Sequence, residues 1–454
     1  MMRRAGLAVL RARRTAPVLR ASAQTSAPQN LAGSKHGNLP GTPSSPLTTR
    51  LHFFNSVLEN QQIPTFRVLD GGGQIIEGAE PPKLDREFAR KLYEVMMMLP
   101  SLDNVLYNSQ RQGKISFYMT SHGEEASIVG SAAAMEPTDE VLGQYREMGV
   151  LVWRGFSLDS LMAQCFGNEL DAATKGRQMP VHFSSPELHF HTISSPLATQ
   201  IPQAAGVAYA LKRDPERRGK SCAICYFGEG AASEGDFHAG LGIASTLGGP
   251  LIYFCRNNGF AISTPAAEQY SGDGIASRGP GYGMDTIRVD GNDALAVYAA
   301  VKEARRRAVE GNKAVLVEAM SYRVGHHSTS DDSFAYRAKQ EVEDWKKIDN
   351  PHHRLRKYLE SKGWWTAEDE ETTRSTQKTA ILAAFQRAEK LQKPSLENLF
   401  EDVYDTLPWN LVEQREELKK LLVKYGEIWE PWRTERAKFK NAGNEFPAMG
   451  ETSK

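Results

Sequence analysis

The chain has 454 residues, which at about 150 residues per domain allows two or three folding units and a large core. Its 55 basic residues are balanced by 55 acidic ones, which argues against a nucleic-acid binder or a polybasic membrane patch. Partners must be recognised through shape and local chemistry.

The first fifty residues stand apart. Arg3, Arg4, Arg11, Arg13, Arg14 and Arg20 alternate with Ala, Leu and Val, and no acidic residue precedes Glu59. That composition predicts a mitochondrial transit peptide with a matrix address, removed between Arg14 and Lys35; a disordered basic tail is the alternative. The apolar piece Gly6 to Leu10 is too short for a secretory core or for a membrane helix of about 20 residues. Transit peptide and linker take up residues 1–45, and an irregular arm follows over 46–84.

Phe88, Leu92, Val95, Met96 and Leu99 share one face of a helix expected from Asp85 to Leu99 and ended by Pro100. Beyond it, helices alternate with short apolar strands at Val150–Trp153, Ala223–Phe227, Leu251–Cys255, Thr286–Val289 and Ala314–Met320. This is the pattern of a doubly wound, mostly parallel α/β sheet, expected over residues 85–343. Asn292 to Val309 reads as a crossover helix with Gly311 after its end. Residues 344–454 read as helical. Thr366-Ala-Glu-Asp369 is a capping box opening a helix toward Leu391, and Leu411, Leu418, Leu421, Leu422 and Tyr425 form a later stripe. Such stripes bury against the chain's own sheet or against another subunit.

The chain has four cysteines, Cys165, Cys222, Cys225 and Cys255. Cys222-Ala-Ile-Cys225 spells C-x-x-C, yet strand positions three apart face opposite sides, so the pair is expected to be buried filler and not a redox or zinc site.

The informative motif is Gly228-Glu229-Gly230, then 26 residues, then Asn257-Asn258. The run Ser221 to Phe227 ends at the glycines, and Ala231 to Leu247 suits a helix whose N-terminal N–H groups favour an anion. Leu251 to Cys255 ends at the Asn pair, where ligands of open α/β sheets bind. Glu229 and Asn258 could then converge on magnesium, which takes hard oxygen donors. A glycine turn without a ligand is the bland reading.

These motifs resemble the thiamine diphosphate fingerprint, with Glu229 where many members carry Asp. GEGAASEGD (228–236), CRNNGFAIST (255–264), RGPGYG (278–283), RVDGND (288–293) and YRVGHHSTSDDSFAYR (322–337) are similar to alpha subunits of mitochondrial 2-oxoacid dehydrogenases, the branched-chain members above all, from about Thr65 to Trp365. The resemblance implies a thiamine diphosphate-binding fold of the diphosphate type, holding thiamine diphosphate and Mg2+. It implies Glu229, Asn258 and the main-chain carbonyl of Phe260 as magnesium ligands, and Tyr145, Arg146, Ser195, Gly228, Gly230, Arg256 and His327 around the cofactor. Ser194, Pro196, Thr199 and Gln200 correspond to a structural monovalent-cation (K+) site; read alone, that run is a polar helix start. His327 is the expected catalytic histidine and Ser328 the position of inhibitory phosphorylation by a regulatory kinase, reversed by a phosphatase; Ala338 stands where some relatives carry a second such serine. Read alone, the paired His and Asp of that loop could also suggest a metal site or an ordinary polar loop.

The implied activity is oxidative decarboxylation of branched-chain 2-oxoacids, with the acyl group passed to a lipoyl-bearing acyltransferase core. The Glu that activates the cofactor is not found here and is expected from a beta subunit in an α2β2 heterotetramer. A pyruvate or acetoin dehydrogenase alpha chain and a non-catalytic scaffold are the alternatives.

Overall fold

The computed structural model describes residues 36–39, 42–46, 62–425 and 434–446. Two units are distinguished, Met1–Ser56 and Val57–Lys454. In the first, β1 (His36–Leu39) and β2 (Thr42–Pro46) pair as an antiparallel hairpin. The expected leader before residue 36 lies outside the described residues.

The second unit begins with β3 (Thr65–Phe66) and α1 (Arg86–Arg111). Then come α2 (Glu125–Ala133), β4 (Glu140–Leu142), α3 (Met148–Trp153), α4 (Leu158–Phe166), β5 (Phe190–His191) and α5 (Gln200–Arg213). Next are β6 (Ala223–Gly228), α6 (Gly235–Leu247), β7 (Leu251–Asn257) and a small hairpin of β8 (Phe260–Ala261) and β9 (Thr264–Pro265). After α7 (Ala266–Gln269) come β10 (Asp285–Asp290), α8 (Ala294–Gly311) and β11 (Ala314–Met320), and the tail holds α9 (Lys339–Ile348), α10 (Pro351–Ser361), α11 (Ala367–Glu389) and α12 (Trp409–Lys424).

Seven strands form one parallel sheet in the order β3-β10-β11-β7-β6-β4-β5. Parallel strands covered on both faces read as continuous apolar runs, and every residue of β7 is buried. Alternation sorts their side chains into two cores. Cys222, Ile224 and Tyr226 join one with α1, α2 and α8, while Ala223, Cys225 and Phe227 join the other with α5 and α6. The C-x-x-C cysteines are thus free, buried and on opposite faces, as expected. The arm ends on the sheet edge: β3 pairs with β10, and the N–H groups of Val68 and Leu69 donate to Asp293 at 2.8 and 2.6 Å.

The structure corrects four boundaries. Val150–Trp153 lies in helix α3, because a short apolar run carries no period that separates strand from buried helix. Pro100 does not end the first helix; it sits inside α1. Leu102 and Leu106 continue the buried stripe beyond it, and their burial outweighs an interior-proline penalty of about 3 kcal/mol. The helix expected from Ala231 begins as a 3-10 turn, Ala231–Ser233, before α6. The crossover helix α8 runs through Gly311, and Asn312 takes the left-handed cap at φ 50°.

The tail divides. Ile381, Ala384 and Phe385 of α11 share a core with α1, whereas α12 buries only Leu422 and leaves Leu421 exposed, with Tyr425 exposed at its C-cap. Among the described residues no helix is long and apolar enough to cross a membrane.

Candidate functional site

β6 and β7 are neighbours in the sheet, and their carboxyl ends bring Glu229 and Asn258 together: the Asn258 N–H donates to Glu229 Oε2 at 3.4 Å. They line a cavity of about 370 Å3, with Gln144, Tyr145, Arg146, Ser195, Arg256, Phe260 and His327 also on its walls. This is the crevice where parallel sheets bind ligands. Gly230 is required by close approach, since a Cβ there would stand 2.6 Å from the Ala261 Cβ. Gly228 has nothing nearer than 3.9 Å, so its bareness opens the cavity and serves no packing need.

Glu229 is almost wholly buried, and its Oε1 has no hydrogen-bond partner. Burial, reinforced by the nearby Glu124 charge, pushes its carboxyl up to about 7. A buried carboxylate oxygen without a partner is a costly arrangement that a cation would relieve.

Beneath it lies a lattice of compensated charge. Arg256 donates through Nε to Glu147 at 2.7 Å and through Nη1 to Glu124. Burial pulls the guanidinium down, but Glu147 and Glu124 outweigh it and hold Arg256 above its ordinary value. Glu124 also accepts from Asn258 Nδ2 at 2.8 Å, which fixes that amide with Oδ1 on its other side. The second oxygen of Glu147 accepts the N–H groups of Gln144, Tyr145 and Arg146 at 2.7, 2.9 and 3.0 Å, while Gln144 Oε1 accepts from the Gly228 N–H at 2.8 Å. The loop carrying Tyr145 and Arg146 is thereby tied to the glycine turn.

The loop after β11 closes one side. Arg146 Nη2 donates to the His327 carbonyl at 2.8 Å and stands 3.3 Å from its Nδ1, and the Arg323 guanidinium lies 3.5 Å from the same nitrogen. Burial and these two positive charges push His327 down to about 3, so its imidazole is neutral near pH 7. The His327 N–H donates to Asp331 at 2.7 Å, and the Tyr336 hydroxyl donates to the same oxygen at 2.7 Å. His326 turns away: its Nδ1 lies 3.0 Å from the Ser333 N–H and its ring stacks on Tyr107. No cluster of three or more His, Cys, Asp or Glu suited to a metal occurs among the described residues. The Phe260 ring packs against Tyr322 and Tyr336 and under Arg337, facing this loop. Ser328 is buried, and its hydroxyl accepts from the Ser330 N–H at 3.2 Å.

The residues expected at a monovalent cation lie at the turn into α5. Ser194 and Pro196 are exposed, the Thr199 hydroxyl donates to the Pro196 carbonyl at 3.3 Å, and buried Gln200 donates to the Tyr226 carbonyl at 2.9 Å. Gln144, Glu124, Glu147, Arg323 and His182 belong to the site yet escaped the sequence reading. The one local signal was Glu124-Glu125 opening a run of Ser, Ala and Gly, where two acids have no reason to be unless buried and paired.

Residues 93–397 match the family model described as "Dehydrogenase E1 component". The chain is 59% identical over 365 residues to the 2-oxoisovalerate dehydrogenase subunit alpha, mitochondrial, of Homo sapiens, covering 80% of this chain and 81% of that one. It is 52% identical over 387 residues to the protein of the same description in Caenorhabditis elegans, covering 85% and 89%. With the Arabidopsis thaliana protein described as subunit alpha 1 it shares 52% over 372 residues, covering 82% and 78%.

Proposed function

The chain belongs to the dehydrogenase E1 component family, and from that premise we propose that it is the alpha subunit of a mitochondrial branched-chain 2-oxoacid dehydrogenase. Family membership implies thiamine diphosphate as cofactor, a beta subunit as partner and an acyltransferase core as acceptor of the acyl group. An α2β2 assembly, Mg2+, K+ and control by a kinase and phosphatase at Ser328 are further parts of the reading.

Bound thiamine diphosphate supplies an electron sink for decarboxylation of a 2-oxoacid. This chain's residues bind and orient it. The observation that carries the reading is the unpartnered Oε1 of buried Glu229, beside Asn258. With the Asn258 amide oxygen and the Phe260 carbonyl it would provide hard oxygen donors of the kind Mg2+ takes. Arg256 uses Nε and one N–H of Nη1 on the two carboxylates, so Nη2 and the second N–H of Nη1 remain as donors for a phosphate oxygen. Arg146 and Arg323 both face Nδ1 as donors, so neutral His327 carries its ring proton on Nε2 and can donate a hydrogen bond from there; a bound diphosphate would offset the two arginines and bring the ring toward the range of general acid–base catalysis. Ser194, Pro196, Thr199 and Gln200 would hold K+ behind the turn that carries Ser195.

Co-expression with a beta chain, followed by assay on 2-oxoisovalerate and pyruvate, tests the proposal. Preference for 2-oxoisovalerate is expected. Faster turnover of pyruvate would reassign the substrate, and no turnover of either would favour the scaffold alternative.

A further inference from the structure

The cavity wall contains a histidine that the reading above does not use. His182 is 4% exposed, and its Nε2 lies 2.7 Å from the Ser195 hydroxyl; both residues line the 370 Å3 cavity. Its other nitrogen, Nδ1, faces the Pro180 carbonyl at 3.2 Å. A carbonyl only accepts, so Nδ1 carries the ring proton and Nε2 is left as an acceptor. Ser195 then donates its proton to His182 and turns its oxygen lone pairs toward the cavity. Because Nδ1 meets a carbonyl where a hydrolytic triad would place a carboxylate, the pair is not built to make Ser195 a nucleophile.

The backbone is strained to bring these two groups together. Val181, immediately before His182, has φ 69°, and Ala198, three residues after Ser195, has φ 65°. Left-handed geometry is rare for a β-branched residue and persists only where the surroundings enforce it. The surroundings are identifiable. Gln164 Nε2 holds the Met179 carbonyl at 2.8 Å, the Ile193 N–H donates to the Phe183 carbonyl at 3.1 Å, and Thr192 Oγ1 donates to Ser184 Oγ at 2.9 Å. The two loops are thus laced together beside the pair, and the first is also tied to α4.

We infer that His182 is a positioning residue for the cofactor site: by taking the Ser195 proton it fixes that hydroxyl as an acceptor aimed at an N–H or O–H donor of the bound ligand. The inference rests on the thiamine diphosphate reading.

The test measures the dissociation constant of thiamine diphosphate by intrinsic fluorescence at saturating Mg2+, on the assembly co-expressed with a beta chain. Ser195→Ala and His182→Asn are each expected to weaken binding about three- to tenfold, the value of one hydrogen bond. His182→Gln, whose side-chain carbonyl reaches the Nε2 position, should stay within about twofold of the parent. The double variant Ser195→Ala/His182→Asn should bind no more weakly than either single one. Parent-like affinity in Ser195→Ala, equal loss in the Gln and Asn variants, or additive losses in the double variant would each overturn the inference. Ser195→Ala decides the matter alone should the His182 variants fail to assemble. Glu229→Ala separates the two readings: if it too leaves affinity untouched, the cofactor assignment itself fails.

Discussion

Glu229 connects burial to pH. An acid raised from its ordinary 4.5 to about 7 favours its protonated form in the folded chain. Its charge costs nothing extra below pH 4.5; from there up to about 7 stability falls, and above 7 the full cost, roughly 3 kcal/mol, is present. Glu229→Gln cannot ionise. In metal-free protein it should therefore match the parent at pH 4 and exceed it by roughly that amount at pH 8, as read by urea unfolding; equal pH profiles would refute the assignment. His327 behaves oppositely: with its folded value depressed to about 3, it contributes a stability loss only as pH falls below its ordinary 6.5. Ser328 adjoins it and is buried, so a phosphate there adds about −1.5 to −2 charges next to an anionic cofactor and cannot fit without opening the loop. Ser328→Ala should keep activity within about threefold, since one hydrogen bond is lost, and Ser328→Glu should lower it by about 10²-fold through displacement of His327. Equal effects in a steady-state assay would exclude a charge mechanism.

At the scale of elements, helix starts with a capping side chain were legible. The Thr366 hydroxyl accepts from the Asp369 N–H at 3.1 Å while Asp369 accepts from the Thr366 N–H at 3.0 Å, the reciprocal box its spacing announced. Thr366→Ala should cost about 0.5–2 kcal/mol and Thr366→Ser almost nothing, measured by thermal unfolding. The strands β6, β7 and β11 were legible for a related reason: burial on both faces writes an unbroken apolar run. β4 was not, because it has only three residues, Glu140–Leu142, and its pairing lies far away in sequence. The same distinction divides the site. Glu229 and Asn258 follow strands that end at glycine and asparagine, so a local motif exposes them. Glu124 meets Arg256 across 132 residues and Glu147 meets it across 109, and no local pattern records such a meeting. Pro100 misled the reading because local propensity names the penalty but not the burial that overrides it.

At the scale of the whole molecule, the cavity is walled by residues of this one chain, and the Glu that activates the cofactor is expected from a beta chain. The purified chain alone should give no decarboxylation of 2-oxoisovalerate, and activity should appear on adding the beta chain; turnover by the single chain would contradict the division of labour. Leu399, Val403, Tyr404 and Trp409 stand exposed before and at the start of α12, which is a sizeable apolar surface for a chain to leave open. The two cores on either side of the sheet have one more consequence. Cys165 and Cys222 lie in one and Cys225 and Cys255 in the other, all four as free thiols. The molecule thus carries a pair of chemical clocks on each side of the sheet. In mild denaturant, the order in which an alkylating reagent marks the two pairs, resolved by mass spectrometry, would tell which layer of helices lifts away first.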